Sequence, residues 1–194
     1  MDKLKTCAVA FTKLLNINYR FIIGRKGKTK EFTLGFDTYH FHHLAGLHKL
    51  SDIRELRTSR ERIFKEILSD TITYETIKVS KDFSVIESRL NFLHNLEQFL
   101  DCNSIVFSYY KKNNKASNIE ALYLLLHAID ESEIYLFIDK SSHGEILYGK
   151  SFFPKEQKDY TIGQTSYTLL YKEKLNIKTS DIIIQYDKLS KKEK

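Results

Sequence analysis

The hydrophobic pattern of this chain changes its period at about residue 104, and that change limits the folds available to it. Beyond this point, strand-length segments alternate between apolar and polar residues or run apolar throughout. These segments are residues 104–109, 121–129, 134–139, 146–153, 166–173 and 182–186. The connections between them are short and polar and carry no helical pattern. Such connections favour antiparallel pairing, because parallel neighbours need long crossovers.

The first half of the chain is predicted to be mainly helical. Residues 4–15 have apolar side chains at roughly helical spacing. Ser59 can cap a second helix in which Ile63, Ile67 and Leu68 face inward. A third helix should start near Asp82, because apolar residues follow it at intervals of three and four. Between the first two helices, residues 19–23 and 31–36 flank a basic, glycine-containing turn and predict a β-hairpin.

We therefore predict an α+β fold, in which a helical N-terminal part packs on one face of an antiparallel sheet. Residues 1–189 would form a single domain, helix-rich over 1–103 and strand-rich over 104–189. Residues 190–194 would form a basic tail. A hydrophobic content of 42% excludes a disordered protein.

The overall charge favours anionic partners. The net charge is +6 and the pI is about 9.1, which points first to nucleic acid, although solubility alone explains this excess equally well. The start of the chain has no signal-peptide pattern, and no apolar run approaches the length of a membrane span. Cys7 and Cys102 match no metal or redox spacing. The expected location is therefore cytoplasmic, with no membrane partner.

Residues 39–50 form the densest group of reactive side chains, with His40, His42, His43, His48 and a lysine. Because the pKa of histidine lies near neutral pH, such a cluster suggests acid–base or phosphate chemistry. A buried, hydrogen-bonded core histidine is the alternative for each member alone, and His42 is expected to be structural or exposed. Asp37 is a plausible N-cap for a helix carrying the histidine cluster, and Gly46 would weaken or end that helix.

No second Cys/His cluster supplies the three or four ligands of a zinc site, so neither a metal nor another cofactor is predicted. His48 and Lys49 could bind a phosphate, or they could simply complement a helix C-terminus. Several arginines follow, and each could form either a solvated surface or a bidentate phosphate contact. These arginines are Arg54, Arg57, Arg60 and Arg62.

The strand-rich half offers hydroxyl and amide groups near strand ends. Lys150 and Ser151 precede a Phe-Phe-Pro sequence, and Gln164 and Thr165 open a later strand that contains Tyr167. Such groups can orient a phosphate or a ribose hydroxyl. The alternative is an ordinary polar turn with tyrosines packed on the sheet.

Three segments together resemble a known family. They are His43-x2-Gly46-x-His48-Lys49-Leu50, Ser151-Phe152-Phe153-Pro154 and Tyr160-x3-Gln164-Thr165-x-Tyr167-x-Leu169-Leu170-Tyr171. With these segments the chain resembles the phage-associated nucleases of the Barnase–EndoU–colicin–RelE (BECR) fold, and among them the fourth phage type. The similarity extends from about Tyr19 to Leu189.

The resemblance implies a helical part followed by an antiparallel sheet whose exposed face carries the active site. It implies a phage or mobile-element toxin or effector that cleaves RNA without a metal, by attack of the ribose 2′-hydroxyl on the adjacent phosphate. His43 is then the best acid–base candidate, followed by His48 and Lys49. The other implied catalytic residues are Ser151, Gln164, Thr165 and Tyr167. The candidate substrate-binding residues are His40, Arg57, Arg60, Lys150 and Tyr160.

A non-catalytic RNA- or protein-binding domain on the same fold is the main alternative, since basic and aromatic surfaces suit it equally well. The two hypotheses differ in whether His43 converges with Lys49 and the Ser151/Gln164 region around one cleft. An inhibitor of a nuclease is disfavoured, because partners of basic nucleases tend to be acidic. The predicted partners are RNA as substrate and a cognate inhibitor protein.

Overall fold

The computed structural model describes residues 2–114, 117–140 and 144–190. Its helices are α1 (Lys3–Thr12), α2 (His40–Leu44), α3 (Arg60–Leu68), α4 (Tyr74–Lys78), α5 (Ser84–Phe92) and α6 (Leu96–Asp101). Its strands are β1 (Ile17–Arg25), β2 (Lys28–Leu34), β3 (Ile105–Ser108), β4 (Tyr123–Ile129), β5 (Ser132–Lys140), β6 (Leu147–Pro154), β7 (Thr165–Asn176) and β8 (Ile182–Asp187). No helix within these ranges is long and apolar enough to cross a membrane.

The described strands form one closed sheet. Around the ring the order is β1-β2-β6-β5-β4-β3-β7, and β7 returns to pair with β1, while β8 is added on β7 as an outer strand. All neighbours are antiparallel except β2 and β6, which run parallel and pair at Leu34 and Leu147. The backbone N–H of Gly35 donates to the Leu147 carbonyl at 2.9 Å beside this pair. The sheet is therefore a closed mixed barrel of seven strands with an eighth attached.

The predicted arrangement of a helical N-terminal part on an antiparallel sheet is wrong. Every predicted strand overlaps an observed one, but the early hairpin belongs to the same sheet as the later strands. Strand β1 pairs with β7 from Ile17 to Gly24, and β2 reaches β6. Closure removes the exposed edges that an open sheet would leave unpaired. An alternating pattern shows which face of a strand is buried, but not which strand lies beside it.

The helices cover one part of this barrel and share its main core. Both α2 and α5 pack against β6, and α1 packs against α3. Phe11 of α1 joins these layers, because its ring makes edge contacts with Phe36, Phe41 and Phe64. As predicted, Ser59 caps α3 by accepting a hydrogen bond from the Arg62 N–H at 3.3 Å. These contacts hold α2, with its histidines, against β6.

Lys172 is completely buried in β7 and binds the end of α6. Its ammonium donates to the carbonyl oxygens of Leu100 at 3.0 Å, Asp101 at 3.0 Å and Cys102 at 2.6 Å. An ammonium has three donors, so these bonds use all of them. The last carbonyls of a helix have no partner within the helix. Lys172 therefore joins the helical layer to the barrel at a point that water does not reach.

We expect Lys172→Met to lower the free energy of unfolding by about 3 kcal/mol, because three carbonyls at the end of α6, one of them fully buried, lose their donor. For a domain of this size the melting temperature should fall by roughly 10 °C. Thermal and urea denaturation followed by circular dichroism measure both quantities. The exposed Lys178→Met is the matched control and should change stability by less than about 0.5 kcal/mol. A Lys172→Met protein as stable as this control would contradict the anchoring role.

Candidate active site

A cleft of about 730 Å³ lies where α2, α5 and β6 meet. Its walls combine residues that are far apart in the sequence. They include His43, His48, Lys49, Ser84, Ser88, Arg89, Asn118, Lys150, Ser151, Phe153, Glu156, Lys158 and Tyr160. The histidine segment and the Ser151 segment therefore face the same cleft, whereas Gln164, the other part of the predicted convergence, does not line it.

Gly46 brings the histidines of this segment together. Helix α2 ends at Leu44, and Gly46 has a φ of 77°, a left-handed conformation that other residues rarely adopt. A Cβ at this position would lie 2.7 Å from Cγ2 of Ile86, so the chain also passes close to α5 here. The following turn, Leu47–Lys49, reverses direction and carries His48 back beside His43. The centroids of these two rings are 4.6 Å apart.

The predicted helix end at Gly46 is confirmed, but the predicted N-cap is wrong. Tyr39 occupies the cap position of α2. Asp37 contributes its backbone instead, since its N–H donates to Nδ1 of His40 at 2.9 Å. The His40 side chain therefore satisfies the Asp37 N–H, and the Asp37 carbonyl in turn accepts from the His40 N–H at 3.0 Å.

The histidines beside the cleft are held as neutral imidazoles. Burial lowers the pKa of His43, and the nearby charges of Arg60 and Lys150 lower it further. Partial burial also lowers the pKa of His48, and the neighbouring His43 and Arg89 lower it further. His48 is the more exposed of the two residues. His42 is buried behind them, its Nδ1 has no hydrogen-bond partner among the described residues, and burial lowers its pKa to about 4. A neutral imidazole can accept a proton, as a general base must.

Arg89 is a site residue that the sequence analysis missed. Only 7% of its surface is exposed, and its guanidinium carbon lies 4.8 Å from the centroid of the Phe153 ring. Its Nη1 is buried without a hydrogen-bond partner in the described part of the chain, and burial lowers its pKa to about 10. Its spacing could have revealed it, because Arg89 falls with Ile86 and Leu90 on the buried face of α5. A charged side chain on the buried face of a helix is unusual, and Arg89 occupies that position because its side chain lines the cleft.

Other cations surround the same space. Burial lowers the pKa of the half-buried Lys49 to about 8, and the neighbouring Arg89 contributes to this shift. The Nζ of Lys158 lies 4.8 Å from the centroid of the Tyr160 ring and is buried without a hydrogen-bond partner in the described ranges. Lys150 donates to Oδ2 of Asp139 at 2.5 Å. Glu156 is the one carboxylate among the described residues of the lining, against the four cations Lys49, Arg89, Lys150 and Lys158. The charge of the lining is therefore positive, and the cleft attracts anions.

Three of the predicted catalytic residues lie elsewhere. Gln164 accepts from the Tyr110 N–H through Oε1 at 2.8 Å and donates from Nε2 to the Tyr110 carbonyl at 3.2 Å. Thr165 pairs with Ser108 in the sheet, and the ring of Tyr167 lies 5.2 Å from Nζ of Lys30. These residues belong to the barrel end where β3 stops and β7 begins. The structure does not bring them into the cleft.

The predicted substrate-binding residues are divided between several places. Lys150 and Tyr160 line the cleft. His40 stacks on Tyr148 at 4.7 Å and borders a separate cavity of about 380 Å³. Arg57 donates to the Ser51 carbonyl at 3.1 Å. Arg60, exposed at the start of α3, is near enough to His43 to influence its pKa. Within the described residues, no group of three or more His, Cys, Asp or Glu side chains could hold a metal ion.

Comparison with known proteins identifies one family. Residues 3–189 match the family model described as phage-Barnase-EndoU-ColicinE5/D-RelE like nuclease 4. The match confirms the resemblance predicted from the three sequence segments. No curated protein and no solved structure matches the chain.

Proposed function

The chain belongs to this family of phage BECR-like nucleases, and from that premise we propose that it is a metal-independent endoribonuclease. In the proposed reaction, the ribose 2′-oxygen attacks the adjacent phosphorus and the bond from phosphorus to the 5′-oxygen breaks. The 2′-hydroxyl proton passes to a general base, and a general acid supplies a proton to the leaving 5′-oxygen. The products are a 2′,3′-cyclic phosphate and a 5′-hydroxyl.

The observation that carries this proposal is the meeting of His43, Lys49, Ser151 and Arg89 at one cleft. Cleavage by 2′-hydroxyl attack needs a base, an acid and donors that stabilise the negative charge on the phosphorane. A neutral imidazole, a partly desolvated ammonium and an unpaired guanidinium match these needs. The buried Nη1 of Arg89 has no hydrogen-bond partner among the described residues and is therefore available to a phosphate oxygen in the cleft.

We assign the roles by protonation state. His43, with its lowered pKa, accepts the proton of the 2′-hydroxyl. Lys49 is mostly protonated at neutral pH and protonates the leaving oxygen, since its pKa is about 8. Arg89 and Lys158 bind the phosphate oxygens, and Ser151 orients them. His48 supports His43 from 4.6 Å away. Lys150 and Tyr160 contact the substrate outside the reacting atoms.

Independence from metal is supported by the composition of the cleft. Mg²⁺ in nucleases is bound by several oxygen ligands, chiefly carboxylates. Glu156 is the carboxylate that lines this cleft, whereas Lys49, Arg89 and Lys158 are positioned to take up the charge that a metal would otherwise neutralise. The phage association in the family's description also supports the role of a toxin or effector. An inhibitor of such a protein would present an acidic surface to the cleft.

The experiment that tests the proposal uses two matched oligonucleotides of one sequence, RNA and DNA, each incubated with purified protein and EDTA. We expect cleavage of the RNA only, with 2′,3′-cyclic phosphate ends detected by mass spectrometry, because DNA lacks the nucleophile. Loss of cleavage in EDTA, or equal cleavage of the DNA, would overturn the mechanism. RNA binding without cleavage would instead favour the non-catalytic binding domain.

The pH profile of kcat/KM should be bell-shaped. His43 acts only when unprotonated, so activity rises with pH along an acidic limb whose apparent pKa lies below 6.5. Lys49 acts only when protonated, so activity falls as the pH passes about 8. Initial rates measured from about pH 4 to about pH 10 define the two limbs. In Lys49→Arg the alkaline limb should move upward, because a guanidinium stays protonated. An unchanged alkaline limb in that variant would remove Lys49 as the acid.

A further inference from the structure

The tip of the β1–β2 hairpin is an exposed cationic surface that the cleft does not use. Its residues Arg25, Lys26, Lys28 and Lys30 are all exposed. Lys26 and Gly27, with φ values of 49° and 76°, form the tight turn that places these cations side by side. Within the described ranges none of the four forms an ion pair with a carboxylate. Nearer the other end of β1, by contrast, Arg20 is bound by acidic neighbours on both adjoining strands.

Tyrosines stand beside these cations. The Nζ of Lys30 lies 5.2 Å from the centroid of the Tyr167 ring. Hydrogen bonding to Tyr167 raises the pKa of Lys30, and the nearby phenols of Tyr123 and Tyr110 raise it further, so the ammonium remains charged. Tyr110 is 46% exposed, and Gln164 binds both its backbone N–H and its carbonyl. Gln164 therefore holds the backbone of Tyr110, whose exposed side chain is near enough to Lys30 to influence its pKa.

This combination suits single-stranded nucleic acid. Cationic side chains bind the phosphates, and exposed aromatic rings stack on unpaired bases. The surface is also near the cleft: Lys111, next to Tyr110, pairs with Glu120 at 2.9 Å. Asn114, in the same segment, donates from Nδ2 to the carbonyl oxygen of Tyr160 at 3.3 Å, and Tyr160 lines the cleft. One extended strand can thus pass from the cleft along this side of the barrel to the hairpin.

We propose that Arg25, Lys26, Lys28, Lys30, Tyr110 and Tyr167 form a second RNA-binding surface, called here the hairpin surface, which holds single-stranded RNA whose scissile phosphate lies in the cleft. The proposal rests on the proposed ribonuclease function. The substrate is then an RNA of several nucleotides that extends from the cleft to the hairpin. The phosphates contact the hairpin lysines, and a base stacks on Tyr110.

The test compares two charge-reversal variants with equal change in net charge. Lys26→Glu/Lys28→Glu alters the hairpin surface. Lys13→Glu/Lys178→Glu alters exposed lysines next to the opposite ends of β1 and β7. Because β1 has 9 residues, the two sites are separated by about 30 Å. Both proteins are assayed on a dinucleotide and on an unstructured RNA of about 20 nucleotides, which is longer than one binding fold covers.

For the long RNA, we expect KM to rise by about tenfold or more in Lys26→Glu/Lys28→Glu, with kcat/KM for the dinucleotide unchanged. Affinity for 2′-O-methyl RNA, which cannot be cleaved, should fall in parallel. The slope of log K against log salt concentration should become shallower by about 1.4, or 0.7 for each lost phosphate contact. Tyr110→Ala should weaken binding by about fivefold or more without changing that slope. The Lys13→Glu/Lys178→Glu control should stay within about twofold of the unaltered protein, in line with exposed positions that contact no phosphate.

The outcomes separate this proposal from the proposed function. If the protein cleaves RNA but the hairpin and control variants bind 2′-O-methyl RNA equally, the hairpin surface is overturned and the ribonuclease stands. If no RNA is cleaved yet the hairpin variant alone loses affinity, the ribonuclease is overturned and the surface stands. Hairpin-dependent binding to phosphatidylserine vesicles, with RNA affinity unaffected, would also overturn the proposal.

Discussion

Replacing His43 with alanine should reduce kcat for RNA cleavage by about 10²–10⁴-fold, the usual range for the loss of a general acid or base. The imidazole is half-buried at the cleft wall, and its lowered pKa keeps it unprotonated at neutral pH. Among the described residues that line the cleft, His48 is the other imidazole. Affinity for 2′-O-methyl RNA should change little, because a neutral imidazole contributes little to phosphate binding.

The matched control for this variant is His94→Ala. His94 is exposed in the turn between α5 and α6 and lies outside the cleft lining, so its loss should leave kcat within about twofold, as expected for a surface substitution. Single-turnover cleavage and the melting temperature should be measured for both variants, so that a folding defect is recognised. Should His43→Ala stay active while His48→Ala is inactive, the base is His48 and the assignment made here is incorrect.

The Arg89→Met variant should lose activity and yet be at least as stable as the unaltered protein. We expect kcat/KM to fall by about 10²–10³-fold, as when one donor to a developing oxyanion is removed. Arg89 is buried beside Phe153 with one guanidinium nitrogen unpartnered in the described residues. Replacing a buried charge with an apolar side chain of similar length is often neutral, or stabilising by about 1–4 kcal/mol. A loss of activity without a loss of stability would show that Arg89 serves substrate binding and not the packing of the core.

Arg54→Met provides the comparison, since Arg54 is exposed and lies away from the cleft lining. It should change neither activity nor stability beyond experimental error. Urea denaturation and initial rates on one RNA substrate measure both properties for the two variants. If Arg89→Met is destabilised by more than about 2 kcal/mol, the role of Arg89 is to stabilise the core, and its position at the cleft is no evidence of phosphate binding. Full activity in Arg89→Met would remove the residue from the phosphate site.

Strand positions could be predicted well because each is encoded locally. Alternating or continuous apolar residues mark a strand wherever its neighbours lie. Which strands pair could not be predicted, because local patterns do not record contacts between distant segments. Strands β2 and β6 meet at Leu34 and Leu147, which are far apart in the sequence. The residue pattern of neither strand indicates the other strand as its partner. The closed barrel follows from this contact and from the pairing of β1 with β7, and both are decided by twist and packing in three dimensions.

The candidate site was predictable where its residues are close along the chain. His43, His48 and Lys49 are separated by one glycine-containing turn, and the left-handed conformation of Gly46 folds them together. Arg89 was out of reach as a site residue, because its role depends on α5 packing beside β6. Gln164 and Tyr167 show the reverse: their motif is close to Tyr160 in sequence, but β7 carries them to the barrel end where β3 stops, outside the cleft lining.

The sequence by itself determined the strand positions, the basic character, the histidine cluster and the family, because these depend on residue type and short spacing. The tertiary structure alone decided that the sheet closes and that Arg89 joins the cleft. It also decided that the Gln164 segment faces the hairpin and not the histidines. Each of these depends on contacts between distant segments, whose free energy comes from burial and pairing that no local pattern records.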